Sequence, residues 1–384
     1  MGMKSQMIGA LIRKERIQRN WSLAGLAKDI CAMSYLSKIE QGKAECSDDI
    51  LKLLFAKLSI DWHDDTCFIE QAELFTRCVY ESIFTMEEIV FSDDEVQLMD
   101  AMENSRFVVD ALLFKSWKQE MVLNGLRELR RYMDERQLCL LYLLEEKYDE
   151  ALHIFPCALT YYYAGMDGYV RGNNYELAMQ RLQKAYSLAG DEGSVLIMLQ
   201  SAILLGNLSG NLLDVNTMLH QYAIAQRLAR VLHAEEDLRV MQYNKAAVLI
   251  EAGRAEEAYQ YFKTLDDLSL MERHKYAIAS ELTGRKDEAM ALLEGHEEEG
   301  DELSTKMVEL VERRLINPEY LDDETYGKLL LEVFEKCQKD LPIGYAAFHL
   351  PWVVQWYVHH RQYRAAFELT ANFPIKVPLL ELNG

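Results

Sequence analysis

A short polar turn followed within two to four residues by alanine recurs five times along this chain. The blocks are EKYDEALHIF at residues 146–155, NNYELAMQRLQKA at 173–185, GRAEEAYQYF at 253–262, GRKDEAMALL at 284–293 and RQYRAAFEL at 361–369. Their alanines, Ala151, Ala178, Ala258, Ala289 and Ala366, are separated by 27, 80, 31 and 77 residues. The two long gaps are each about right for a pair of repeats, with the helices around residues 212–232 and 325–337 as their degenerate members. An apolar stretch of helical character precedes each turn, at 138–144, 161–170, 242–251, 274–282 and 352–358. Each unit therefore reads as a helix, a turn and a second helix whose small alanine permits close approach. Such a hairpin cannot bury its apolar face alone, so repetition demands a stack. With only 6 Pro and 19 Gly among 384 residues there are few breakers, and the fold class expected is all-α.

The formal charge of −21 argues on its own against a nucleic-acid binder. Its distribution says otherwise. Residues 1–62 carry 10 basic and 7 acidic side chains, a net of +3, and the remainder holds 31 and 55, a net of −24. A small basic head precedes a large acidic body. The 7 cysteines form no CxxC, which indicates neither a disulfide framework nor a zinc site and fits a reducing cytoplasm. The first fifteen residues lack the apolar core of a signal peptide. The most apolar window, residues 194–213, contains Gln200, Asn207 and Asn211, and reads as a buried helix and turn rather than a membrane span.

In the head, Ile8, Leu11, Ile12 and Ile17 recur at helical spacing with Arg13, Lys14, Arg16 and Arg19 between them, giving an amphipathic first helix over 8–20. Ser22 caps a second, short helix carrying Leu23, Leu26 and Ala27. A third spans about 34–41 and is ended by Gly42. Ser47, with Asp48 and Asp49 behind it, caps a fourth through its side-chain oxygen, and that helix buries Ile50, Leu53, Leu54 and Leu58. A fifth short helix begins at Asp61.

Short helices, the second and third joined by a tight turn, make a helix-turn-helix, and residues 26–51 (LAKDICAMSYLSKIEQGKAECSDDIL) resemble the Xre/Cro-type DNA-binding domain. The block SYLSKIEQG carries the resemblance, and within the group it is similar to the head of the peptide-responsive regulators of Gram-positive bacteria, the RRNPP family. The resemblance implies a five-helix DNA-binding domain over 1–63. Leu36 and Ile39 turn to its core, while Met33, Ser34, Tyr35, Ser37 and Lys38 face outward at the end of the helix that enters the major groove. Ser34, Ser37 and Lys38 suit base edges, and Tyr35 a thymine methyl or a phosphate. Lys43, Arg13 and Arg19 are candidate phosphate contacts. Arg16 and Glu40 match the family's structural ion pair. Leu23, Ala24 and Gly25 stand where such domains often place Gln or Glu, which leaves backbone N–H groups to hold a phosphate there.

The body resembles the tetratricopeptide repeat, units of ~34 residues stacked into a right-handed α-solenoid. That resemblance implies a linker helix region over 64–84 and a peptide-binding and dimerisation domain over 85–384. An extended peptide exposes unpaired N–H and C=O groups, so its groove needs side chains that donate and accept together, as a carboxamide does. Asn244, in DLRVMQYNKAAVLIEAG, resembles the asparagine with which the family clamps the peptide backbone. Tyr243 follows it, then Lys275 and His274, since Lys275 lies 14 residues before Ala289 as Asn244 lies 14 before Ala258. Tyr163, Arg136 and Gln200 lie on neighbouring first helices. The acidic run at 297–302 reads as a solvated turn.

The implied function is a cytoplasmic quorum-sensing transcription regulator that binds a palindromic DNA operator as a homodimer and is switched by a short signalling peptide. The alternative is a Rap-like repeat module acting on a partner protein, with DNA binding secondary. No GxSxG, HExxH, P-loop or dinucleotide fingerprint occurs, and adjacent His359 and His360 point to different faces. No catalytic residue, metal, cofactor or membrane partner is therefore expected.

Overall fold

The helical periodicity is realised throughout the computed structural model, which describes residues 3–119, 125–171, 174–295 and 301–374 and contains no strand among them. Residues 297–300 of the acidic run, and Asn173 of the second turn, lie outside the described residues. Among the described residues no helix is long and apolar enough to cross a membrane. The chain divides into two compact units: residues 1–163 with 192–196, and residues 164–191 with 197–384.

The first unit begins with α1 (Met3–Gln18), α2 (Leu23–Ala27), α3 (Met33–Glu40) and α4 (Asp48–Leu58). Ser22 accepts from the Gly25 N–H at 3.0 Å and starts α2. The turn after α3 closes through Gly42 in the left-handed region (φ 66°) and the Lys43 N–H to Lys38 carbonyl bond of 2.7 Å. Leu11, Ile12, Leu26, Leu36, Ile39, Leu54 and Leu58 form the head's core, each almost fully buried. α1 crosses α3 at Gly9, where a Cβ would fall on the Ile39 carbonyl, so only glycine allows this approach.

Three details of the head differ from the sequence reading. Ser47 occupies the N-cap of α4 but its hydroxyl makes no capping bond, which leaves Asp48 and Asp49 to complement the helix end. Leu53 is 52% exposed and Phe55 is buried in its place, because the inward stripe of α4 runs Leu54, Phe55, Leu58. The fifth helix starts not at Asp61 but at Thr66, where the Asp65 carboxylate accepts from the Phe68 N–H at 3.0 Å.

That helix, α5 (Thr66–Thr85), packs with α6 (Asp93–Met102) and α7 (Val108–Lys118) around an aromatic centre in which Phe75 and Tyr80 meet Phe114 edge-on at 6.1 and 5.0 Å. α8 (Leu126–Leu129), a 3₁₀ turn at Arg130–Tyr132, α9 (Glu135–Leu144) and α10 (Tyr148–Ile154) complete the unit, with α11 (Ala158–Arg171) starting in it. The head is tied to these helices. The Tyr132 hydroxyl donates to the Glu40 carbonyl at 3.1 Å, and buried Lys14 lies 3.8 Å from the Glu103 carboxylate.

The second unit runs from the end of α11 through α12 (Tyr175–Glu192), α13 (Val195–Asn211), α14 (Val215–Leu232), α15 (Glu235–Glu251) and α16 (Ala255–Phe262). It continues with α17 (Leu270–Leu282), α18 (Lys286–Leu293), α19 (Glu302–Ile316), α20 (Glu324–Asp340), α21 (Ile343–His359) and α22 (Tyr363–Asn372). Every repeat block is the junction of a helical hairpin, and Ala151, Ala178, Ala258, Ala289 and Ala366 are all buried. Glu146, Gly253, Gly284 and Arg361 take positive φ between 56° and 82° at the corresponding turns. Two of these are not glycine, so the turn geometry is kept where the sequence signal weakens.

Candidate functional site

The exposed end of α3 is built by its own periodicity. Leu36, Ile39 and Glu40 point inward, which leaves Met33, Ser34 and Lys38 exposed and Tyr35 and Ser37 half-buried. Arg16 grips Glu40 with two bonds, Nε to Oε1 at 2.7 Å and Nη2 to Oε2 at 2.9 Å, and donates a third to the Trp21 carbonyl at 2.7 Å. This pair ties α1 to the far end of α3 and fixes which side α3 presents. The Tyr35 hydroxyl donates to the Glu45 carbonyl at 2.7 Å and braces the turn behind the helix, and Ser37 accepts from Gln41 at 3.1 Å. Lys43 and Arg13 are exposed, whereas Arg19 is exposed but paired with Glu15. The backbone at the start of α2 has less to offer a phosphate than its sequence suggests, since Ser22 already takes the Gly25 N–H.

Residues 12–63 match the helix-turn-helix family model. The head is a helix-turn-helix domain. The chain is also similar to a solved structure, Bacillus thuringiensis PlcR in complex with the peptide PapR7 and DNA. It is 16% identical to that protein, with 94% of this chain and 99% of that chain covered and a TM-score of 0.15. None of the curated proteins matches.

In the second unit, a groove of about 260 Å³ is lined mainly from α11, α13, α15, α17 and α21, each the first helix of a hairpin. Asn244, Tyr243 and Lys275 line it together. Asn244 Nδ2 donates to Asn207 Oδ1 at 3.2 Å, and the Tyr222 hydroxyl donates to the same oxygen at 2.5 Å. The Asn207 carbonyl is thereby filled, and the Asn244 oxygen is left as an acceptor. Asn211 Nδ2 and the Tyr243 hydroxyl are buried beside the Tyr169 and Tyr345 hydroxyls, and neither is met there by a hydrogen bond of full geometry. Groups of that kind, beside a cavity, are what an extended backbone satisfies.

The other sequence candidates lie elsewhere. His274 is fully buried, its ring 6.4 Å from that of His349, and does not line this groove: one position from Lys275 on α17 turns it about 100° into the core, and burial holds its imidazole well below the ordinary range. Gln200 is engaged with Asp237 at 3.2 Å. Tyr163 belongs to the first unit, stacked on Tyr148 at 5.5 Å. Arg136, also in the first unit, lies over the Tyr80 ring at 5.3 Å and lines a separate cavity with Asp110. Asp110 accepts from Tyr80 at 2.8 Å and Gln137 at 2.9 Å, yet burial pushes its carboxyl up to about 6.

The sequence reading missed Tyr169, Asn207, Asn211, Glu251, Tyr345 and Phe348 as groove residues. Asn207 and Asn211 carried a signal: two carboxamides four apart in an otherwise apolar window share a helix face. Tyr345 and Phe348 carried none, because their helix α21 is apolar all round and contains no marked lining face.

Proposed function

We propose that the chain is a sequence-specific transcription regulator of the cytoplasm that binds operator DNA as a homodimer and is switched by a short signalling peptide held in the groove of its second unit. The observation that carries the reading is the helix-turn-helix head with Met33, Ser34 and Lys38 exposed at the leading end of α3. Lys38 reaches a guanine edge, Ser34 and Ser37 serve bases or phosphate, Tyr35 packs at the rim, and Lys43, Arg13 and Arg19 set register on the backbone. Two heads, one turn of DNA or about 34 Å apart, read the halves of a palindrome. The groove supports the peptide half of the reading, since its asparagines and tyrosines offer both donors and acceptors. Asn244 clamps the peptide backbone, with Tyr243 and Lys275 beside it. A peptide shifts the regulator between states only by its differential affinity for them.

The test is selection of genomic DNA fragments by the purified chain, followed by footprinting with and without peptide. Recovery of one palindromic sequence whose protection responds to peptide is the expected result. Binding with no sequence preference at low salt, in either condition, rejects the reading.

A further inference from the structure

The groove of the second unit does not end at its amides and phenols. Glu251 and Phe348 line it and also line an adjoining chamber of about 220 Å³ walled by Ile250, Ile278, Leu282, Pro351 and Trp352. At this junction the charged groups are unequal. Lys275 is 2% exposed, and its ammonium lies 2.8 Å from the centre of the Phe348 ring, so the aromatic face covers it. Arg314, in the apolar chamber, is bound to Glu281 through two nitrogens and rests on Trp352, so its charge is already met. Glu251 is half-buried and makes no hydrogen bond or ion pair among the described residues. A carboxylate held partly out of water, with only the ring-covered Lys275 ammonium acting on it, is incompletely compensated, and an incoming cation adds to that compensation. The acidic body, −24 beyond residue 62, draws cations toward such a site.

We infer that the groove takes a short peptide with a basic group, an ammonium or guanidinium, seated on Glu251, and a large apolar side chain next to it in the Ile250, Ile278, Trp352 chamber. This rests on the peptide reading above and adds the chemistry of the ligand. Burial holds the Glu251 carboxyl up at about 7, with Lys275 pulling it down, so a ligand cation favours its ionised form.

The experiment uses the full chain and a positional-scanning heptapeptide library with free amino termini, read first as a rise in melting temperature and then by competition in fluorescence polarisation. Pools with Lys or Arg at one position and Leu, Ile, Phe or Met beside it are expected to bind best. Replacing that basic residue of the selected peptide by norleucine lowers affinity about tenfold on the wild-type chain, and Glu251→Gln removes the difference. Peptide pools that bind without preference for a basic residue, or that prefer Asp and Glu, overturn the inference and leave the peptide reading standing. No stabilisation by any pool overturns the peptide reading itself and the inference with it. Should Glu251→Gln fail to fold, by its circular dichroism, the library preference and the norleucine peptide on the wild-type chain decide alone.

Discussion

At the scale of single residues, the head separates side chains that hold α3 from side chains that α3 offers. Arg16 and Glu40 belong to the first kind: their side chains are 13% and 5% exposed, and Arg16→Ala leaves a buried carboxylate without its partner. That substitution costs about 3 kcal/mol, and equilibrium urea unfolding should show the loss together with weakened DNA binding. Lys38 belongs to the second kind. Lys38→Ala should leave the urea midpoint unchanged while lowering operator affinity about tenfold, as measured by anisotropy. Tyr35 lies between the two, since its hydroxyl braces the Glu45 carbonyl. Tyr35→Phe should therefore cost about 1 kcal/mol of stability, and a loss of DNA affinity with unchanged stability would instead place the hydroxyl at the duplex.

Among elements, the hairpin is the unit that the sequence specifies, and its alanine is the reason. A side chain that is 0% exposed between two helices, such as Ala258 or Ala289, leaves no room for a larger one. Ala258→Leu should cost about 1–3 kcal/mol by overpacking α15 against α16, checked by the urea midpoint against an exposed control, Gln260→Leu. The turn-plus-alanine blocks placed all five of these hairpins from residue pattern alone, because helical period, turn and small residue are local properties. The groove was legible only in part for the opposite reason. Asn244 follows from the resemblance to the family's asparagine, Tyr243 from standing beside it, and Lys275 from the repeat offset. Tyr345 and Phe348 reach the same groove from α21, about a hundred residues later in the chain, by long-range packing that no local spacing encodes. His274 shows the limit of adjacency: Tyr243 lines the groove beside Asn244, whereas His274, one position before Lys275, is turned into the core. In the head, Ser47 has the right residue type at the right place without the expected bond, so a capping signal marked the boundary and not the interaction.

For the whole molecule, charge decides both where DNA binds and how stability answers pH. The +3 head and −24 body confine favourable phosphate contacts to a small surface, so non-specific binding should be weak and useful binding should depend on two heads. Inside the second unit, Glu251 and Lys275 are ionisable groups whose burial opposes their charge. The Glu251 carboxyl moves from 4.5 up to about 7, first through burial, with Lys275 opposing the rise. The Lys275 ammonium moves from 10.5 down to about 7, again first through burial, with Glu251 and Cys337 opposing the fall. Between 4.5 and 7 the folded chain holds the Glu251 proton that the unfolded chain has released, so this group's contribution to stability falls as pH rises. Between 7 and 10.5 the unfolded chain holds the Lys275 proton that the folded chain has lost, and its contribution rises with pH. Buried His274 and His349, both shifted below 6.5, add an opposite slope on the acid side, so the wild-type curve alone does not isolate Glu251. The difference between two curves removes the histidines, which are common to both, and leaves Glu251 together with the Lys275 ammonium whose fall it opposes; losing Glu251 lowers that ammonium further and adds to the variant's gain as pH rises. Glu251→Gln should be no more stable than the wild type at pH 4.5, gain on it steadily toward pH 7, and hold that gain at pH 8, as read from urea midpoints across the series. A constant offset at every pH would mean that the carboxyl titrates alike in the folded and unfolded chains, and Glu251 would then lose its place as the buried charge that a basic ligand satisfies.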